Sequence, residues 1–201
     1  MASSTVGAPT VPLPRVPAEE AAYAAGAAYA SWYEGVLGWP VTGGPPVQLV
    51  TGSRFDVLEL PSDAGTALLR RPVDTGPVAV MGRRMRFLVA AGSAEELDGL
   101  LDWLEWGGVA LDLTALGAGG RITAPAPPGT PPDPREAAVW LRPPEQGCEA
   151  LLPALPGLPG QGAGPACGPD LVRLVAAAAT ECHRARLRRR ATRCDQPLAF
   201  S

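Results

Sequence analysis

The chain has 201 residues, enough for one domain with a real core plus tails. Its 17 basic residues are all arginine, against 20 acids and one histidine, for a net charge of −3. The imbalance is local: residues 1–183 hold 11 Arg and 19 acids, and residues 184–201 hold six Arg and one acid. An acidic body argues against a generic nucleic-acid binder, so the basic tail is the one strong electrostatic footprint. No charged start followed by an apolar run marks a secretory signal, and no apolar run approaches the ~20 residues that span a bilayer. The expectation is a cytoplasmic protein without a membrane partner, whose four cysteines are reduced thiols.

Residues 1–17 hold four prolines and read as a disordered leader. Residues 18–34 read as a helix, with Glu19 and Glu20 in its first turn and Tyr23, Ala27, Ala30 and Tyr33 as its buried stripe. Gly38–Val41 opens a short extended piece. Val47–Val50 and Phe55–Leu60 read as strands around a Thr51-Gly52-Ser53 turn, the second stopped by Pro61. Ser62 or Asp63 would cap a short helix reaching about Arg70, and Pro72 ends it. Two more strands, Val78–Met81 and Met85–Ala90, join through Gly82-Arg83-Arg84.

Ser93-Ala94-Glu95-Glu96 has the form of a capping box before a helix with Leu97, Leu100, Leu101 and Leu104 at helical spacing. Gly107 and Gly108 are expected to stop that helix. Val109–Leu113 reads as a strand, 117–120 as a Gly-rich turn, and Arg121–Ala124 and Ala138–Leu141 as short strands. The rest of 125–169 is dominated by Pro and Gly, and 145–169 reads as a linker. Asp170 would cap a final helix, within 170–193, whose apolar face is Leu171, Leu174, Val175 and Ala178 and whose second half is Arg-rich. Residues 194–201 form a tail. The fold class expected is α/β (α+β), a mixed sheet with packed helices, a Pro/Gly-rich extension and a C-terminal basic helix.

Between residues 21 and 144, short segments in a fixed order carry a family likeness. They are Gly38-Trp39-Pro40-Val41, Gln48–Gly52 ending in Thr-Gly, Phe55–Pro61, Gly82–Phe87, Val109–Leu113, the Gly-rich turn, and Ile122–Pro128. Together they resemble the bifunctional DNA primase/polymerase (Prim-Pol) domain of the archaeo-eukaryotic primase superfamily. The resemblance implies two divalent metals, held by an Asp-x-Asp pair and a later Asp, and a His that helps hold the incoming triphosphate. By position, Glu59 takes the first Asp, Pro61 the second, Asp112 the third, and Arg84 takes the His.

Two of those four positions are changed in kind, since Pro61 has no side-chain oxygen and Arg84 is a cation. Asp56 does not replace the missing acid, because strand residues alternate faces and Glu59 shares its face with Val57 and Pro61. Glu59 and Asp112 alone are candidate ligands for one Mg²⁺ with several waters. Arg84 and Arg86 share a strand face. Two like charges there call for an anion between them, either a phosphate of a nucleotide or the carboxylates of Glu59 and Asp112 in an ion pair. Asp112 could equally be a solvent-facing strand residue.

The cysteines and His183 lack zinc-ligand spacing. Trp103 and Trp106 lie on or beside an apolar helix face and suit core or partner contact. Arg184, Arg186, Arg188, Arg189, Arg190 and Arg193 form the candidate nucleic-acid-binding tail, or else dock on an acidic partner or on this protein's own acidic body.

Three functional readings follow. The first is a Prim-Pol-like domain that has lost catalysis and serves as a nucleic-acid-associated or regulatory module, requiring no cofactor. The second is a weak primase or polymerase using Glu59 and Asp112 with Mg²⁺ or Mn²⁺. The third is a protein-interaction module whose Pro-rich segment makes the contact.

Overall fold

The computed structural model describes residues 18–44, 46–130, 138–155 and 169–194. The expected leader at 1–17, most of the expected linker (156–168) and all but the first residue of the expected tail (195–201) lie outside them. Helix α1 (Ala18–Trp32) runs into a π-helical turn (Tyr33–Leu37), then β1 (Val41–Thr42), β2 (Gln48–Val50) and β3 (Asp56–Pro61). Next come α2 (Ser62–Leu68), β4 (Val78–Met81), β5 (Arg84–Val89), α3 (Leu97–Trp103), β6 (Thr114–Leu116) and β7 (Arg121–Thr123). β8 (Ala138–Arg142), a 3₁₀ turn (Cys148–Leu151) and α4 (Leu171–Cys194) complete the described chain.

The strands form two sheets, one of five strands in the order β6-β3-β5-β4-β8 and one of three in the order β1-β2-β7. Every pairing between these strands is antiparallel, where the sequence suggested one mixed sheet. The reason is the crossovers. The α2 connection from β3 to β4 leaves β5 between them, and the α3 connection from β5 to β6 leaves β3 between them. Each helix therefore joins strands that are not neighbours, and the intervening strand runs the other way. The segment from β3 to β6 is thus a split βαβ unit, β-α-β-β-α-β, which β8 extends at the β4 edge.

Side-chain alternation sends the two faces of this sheet into two cores. Leu58, Leu60, Met85, Phe87 and Val89 pack against α2, α3 and the face of α4 carrying Leu171, Leu174, Val175 and Ala178. Val57 and Leu88 point the other way, into a cluster with Phe55, Leu49, Ile122, Trp39 and Tyr33. The α4 face is the one the sequence predicted. Its N-cap is Asp170 as expected, with Oδ1 accepting from the Val172 N–H at 2.8 Å and the Arg173 N–H at 3.4 Å.

Across α1 and the π-helical turn that follows it, the buried set differs from the expected stripe. Tyr23 is 71% exposed and Ala27 is exposed, while Tyr29, Tyr33 and Leu37 are buried at four-residue spacing. Alanines offer little area to bury, so the large rings decide which side packs. Tyr33 also hydrogen-bonds: its hydroxyl donates to Pro125 O at 2.7 Å and accepts from Trp140 Nε1 at 2.9 Å. Burial pushes that phenol pKa far up.

The ends of the two short helices also differ from expectation. Ser62 Oγ is buried and bonds to no group among the described residues, and Asp63 Oδ1 accepts from Ala64 N–H at 3.0 Å. The capping box does not form, because 93–96 is a turn and α3 begins at Leu97. The buried carboxylate of Asp56 reaches across from β3 instead, accepting from Ala94 N–H at 2.8 Å.

At the far end, Glu105 stops α3, two residues before the expected glycines. Its φ is +63°, the Trp106 N–H donates to Leu101 O at 2.8 Å, and the Glu105 N–H donates to Asp102 O at 3.1 Å. This is a Schellman motif with glutamate in the left-handed position that glycine usually fills. Glu105→Gly should therefore raise stability, by about 0.5–1 kcal/mol, because it relieves a Cβ clash at an exposed site. A urea midpoint that stays put or falls would count against strain at this residue.

Val109–Leu113 is not a strand. The Val109 N–H donates to Trp106 O, and the Leu111 N–H donates to Val109 O at 2.7 Å. Helix α4 takes the carbonyls that a ladder would have used: Arg186 donates to Ala110 O, and Cys182 Sγ donates to Asp112 O at 3.8 Å. The ladder resumes at Thr114, opposite Glu59. Asp112 therefore stands in a bend before β6.

Candidate functional site

The central strands β3 and β5 set the geometry of the site. Their register puts Glu59 directly opposite Arg86 and Pro61 opposite Arg84, all on the face away from α2 and α4. Glu59 uses both oxygens, Oε1 to Arg84 Nε at 3.0 Å and Oε2 to Arg86 Nε at 2.7 Å. Arg84 then spans to the bend before β6, its Nη1 meeting Asp112 Oδ1 at 2.6 Å. Its Nη2 also donates to Glu59 O at 3.3 Å. The four predicted site residues are thus one connected cluster, with Arg84 joining the two carboxylates.

Exposure grades across the cluster. The side chains of Arg86 and Glu59 are 14% and 18% exposed, Arg84 28%, and Asp112 52%. Burial alone would push the Glu59 carboxyl pKa up. The guanidinium bonds of Arg86 and Arg84 outweigh it and hold the carboxyl below its ordinary value. For Arg84, burial alone would lower the pKa, and the bonds to Asp112 and Glu59 outweigh that and raise it. Two carboxylates and two guanidiniums cancel, so the cluster has no net charge to offer a triphosphate.

The residues present do not fit a two-metal clamp. Both Glu59 oxygens and Asp112 Oδ1 are held by arginine, and Pro61 contributes no oxygen. Among the described residues no group of three or more His, Cys, Asp or Glu is placed to hold a metal. Asp56 lies on the opposite face of β3, as strand alternation requires, and is committed to Ala94. A cleft of about 350 Å³ lined by Glu34, Trp39, Ser53 and Arg54 includes none of the predicted site residues.

The Thr-Gly pair of the family likeness does structural work. The Thr51 hydroxyl donates to Gly117 O at 2.6 Å and the Thr51 N–H to Gly120 O at 3.0 Å. The β2–β3 turn is thereby docked on the Gly-rich β6–β7 turn, and at both turns the chain passes from one sheet to the other.

The tail arginines do not form one patch. Arg184 pairs with Glu181 at 2.9 Å, Arg189 reaches both oxygens of Asp63 at 2.9 Å, and Arg186 holds Ala110 O. Arg188 and Arg190 are exposed and unpaired among the described residues. The side chain of Arg193 lies outside them. Consecutive helix residues point about 100° apart, so a run of arginines is spread around the axis. One residue outside the sequence-based expectations matters here. Glu181 is buried at 3% exposure and accepts from Arg71 as well as Arg184. Its signal was a lone acid three residues after Ala178, on the flank of the apolar stripe.

Cys182 is buried and its thiol pKa is pushed up to about 12 by that burial, which keeps it a thiol rather than a thiolate. The His183 ring packs 5.6 Å from Trp106, and Trp103 is 71% exposed. No helix among the described residues is long and apolar enough to cross a membrane. Comparison with protein-family models, with curated proteins and with solved structures finds no match to this chain.

Proposed function

We propose that this chain is a Prim-Pol-like domain in which an internal guanidinium stands where the family likeness expects metal ions, and that it serves as a non-catalytic module associated with nucleic acid. The observation that carries this reading is Arg84, bonded at once to Glu59 and Asp112. Arg84 fixed between the two carboxylates, together with Arg86 on Glu59, satisfies their charge without coordinating an attacking hydroxyl or a leaving pyrophosphate. The reading rests on residue order and on this ion-pair geometry, since a split βαβ sheet hosts many functions.

The test is nucleotide incorporation on a primed and an unprimed template with Mg²⁺ or Mn²⁺. No extension or primer synthesis is expected from the protein or from its Glu59→Ala and Asp112→Ala variants. Metal-dependent incorporation by the unaltered protein that disappears in both variants would overturn the proposal in favour of a working enzyme.

A further inference from the structure

We infer that the nucleic-acid contact of this protein is the outer surface of its helix layer, along the solvent face of α4 and the adjoining end of α2, and that it binds the phosphate backbone of a duplex. This inference rests on the nucleic-acid reading above and moves the contact away from the Glu59–Arg84 cluster.

Helix α4 carries seven arginines and one carboxylate, Glu181. Arg173, Arg184 and Arg188 are all exposed, and their spacings of 11 and four residues are near-whole numbers of helical turns, so they share one stripe. Arg70 and Arg71, just past the end of α2, lie beside it: Arg71 reaches across to Glu181, the residue that Arg184 also holds. Glu181 is buried, so it neutralises one of those two guanidiniums and presents no negative surface. Farther along, Asp63 is engaged by Arg189. Arg70, Arg173 and Arg188 have no carboxylate partner among the described residues. The arginines of the sheet cluster are cancelled, and those of this stripe are not.

The occupant follows from what the stripe contains. From Arg173 to Arg188 the stripe runs 15 residues, about 22 Å along α4, a line of guanidiniums suited to a rigid polyanion. Single strands are held through bases stacked on aromatic rings, and α4 has no aromatic residue other than His183, which is turned to Trp106. Contact through phosphates alone makes the affinity sequence-independent and salt-sensitive.

The experiment is a salt series of fluorescence anisotropy with a labelled mixed-sequence duplex and the matching single strand. The test variant is Arg173→Gln/Arg188→Gln, whose residues hold no intramolecular ion pair, so folding is preserved and is checked by circular dichroism. The control is Arg54→Gln/Arg121→Gln, at exposed positions on other elements. The test variant should lower the slope of log affinity against log salt by about two, at ~0.9 per phosphate contact, and the control should leave it unchanged. A slope unmoved in the test variant overturns this surface while leaving the nucleic-acid reading in place. Preference for the single strand overturns the duplex. Absence of binding to either at low salt overturns the nucleic-acid reading and this inference with it.

Discussion

Gly52→Ala is expected to leave little folded protein, with a loss of roughly 3 kcal/mol or more in stability. Two independent penalties meet at this position. Its φ of +90° is a backbone conformation that residues with a Cβ rarely adopt. A Cβ here would also stand 2.6 Å from Ala118 N and nearer still to Ala118 Cα, and backbone cannot move aside as a flexible side chain can. The neighbouring Thr51 N–H and hydroxyl are bonded to the same Gly-rich turn, so relief by shifting that turn would break both bonds. Far-UV circular dichroism and a urea titration measure the outcome. A variant that unfolds within about 1 kcal/mol of the parent would show that the two turns are not docked as described. The result bears on function as well, because it assigns the Thr-Gly pair to the joint between the sheets rather than to a substrate.

Glu59→Ala is the second large effect, an expected loss of about 2–3 kcal/mol, since it leaves two partly buried guanidiniums side by side with only Asp112 between them and neutrality. Full exposure would make the loss smaller, and Glu59 and Arg86 are mostly covered. Glu59→Gln separates charge from shape. The Glu59 pKa is held below its unfolded value, so its contribution is present above the unfolded carboxylate range and is lost as pH falls through the folded pKa. The stability gap between the parent and Glu59→Gln should therefore be full at neutral pH and close on acidification below about pH 4. Denaturant midpoints taken across that range check it. A gap that persists undiminished in acid would place the cost of the substitution in packing instead of the ion pair.

The parts of the site that were legible in the sequence are those governed by local geometry. Strand period alone placed Asp56 opposite to Glu59 and put Arg84 and Arg86 on one face. The alternatives left open for those arginines, an added anion or the protein's own carboxylates, turned on Asp112. That residue's place could not be read, because VALDL has the composition of a strand and is held out of the ladder by Arg186 and Cys182 of α4, some 70 residues later. The same limit applied to the caps. Ser93 and Glu96 have the right spacing, but a buried carboxylate on β3 occupies the turn they would have closed.

Residue order by itself determined the strand faces, the Asp170 cap and the apolar stripe of α4, because each depends on torsions and spacings within a few residues. Tertiary structure decided that the sheet is antiparallel, that Arg84 is bonded to two carboxylates, and which arginines of α4 remain free. Those outcomes depend on which donors and acceptors distant segments bring within hydrogen-bond reach, and desolvation rewards only the pairs that meet.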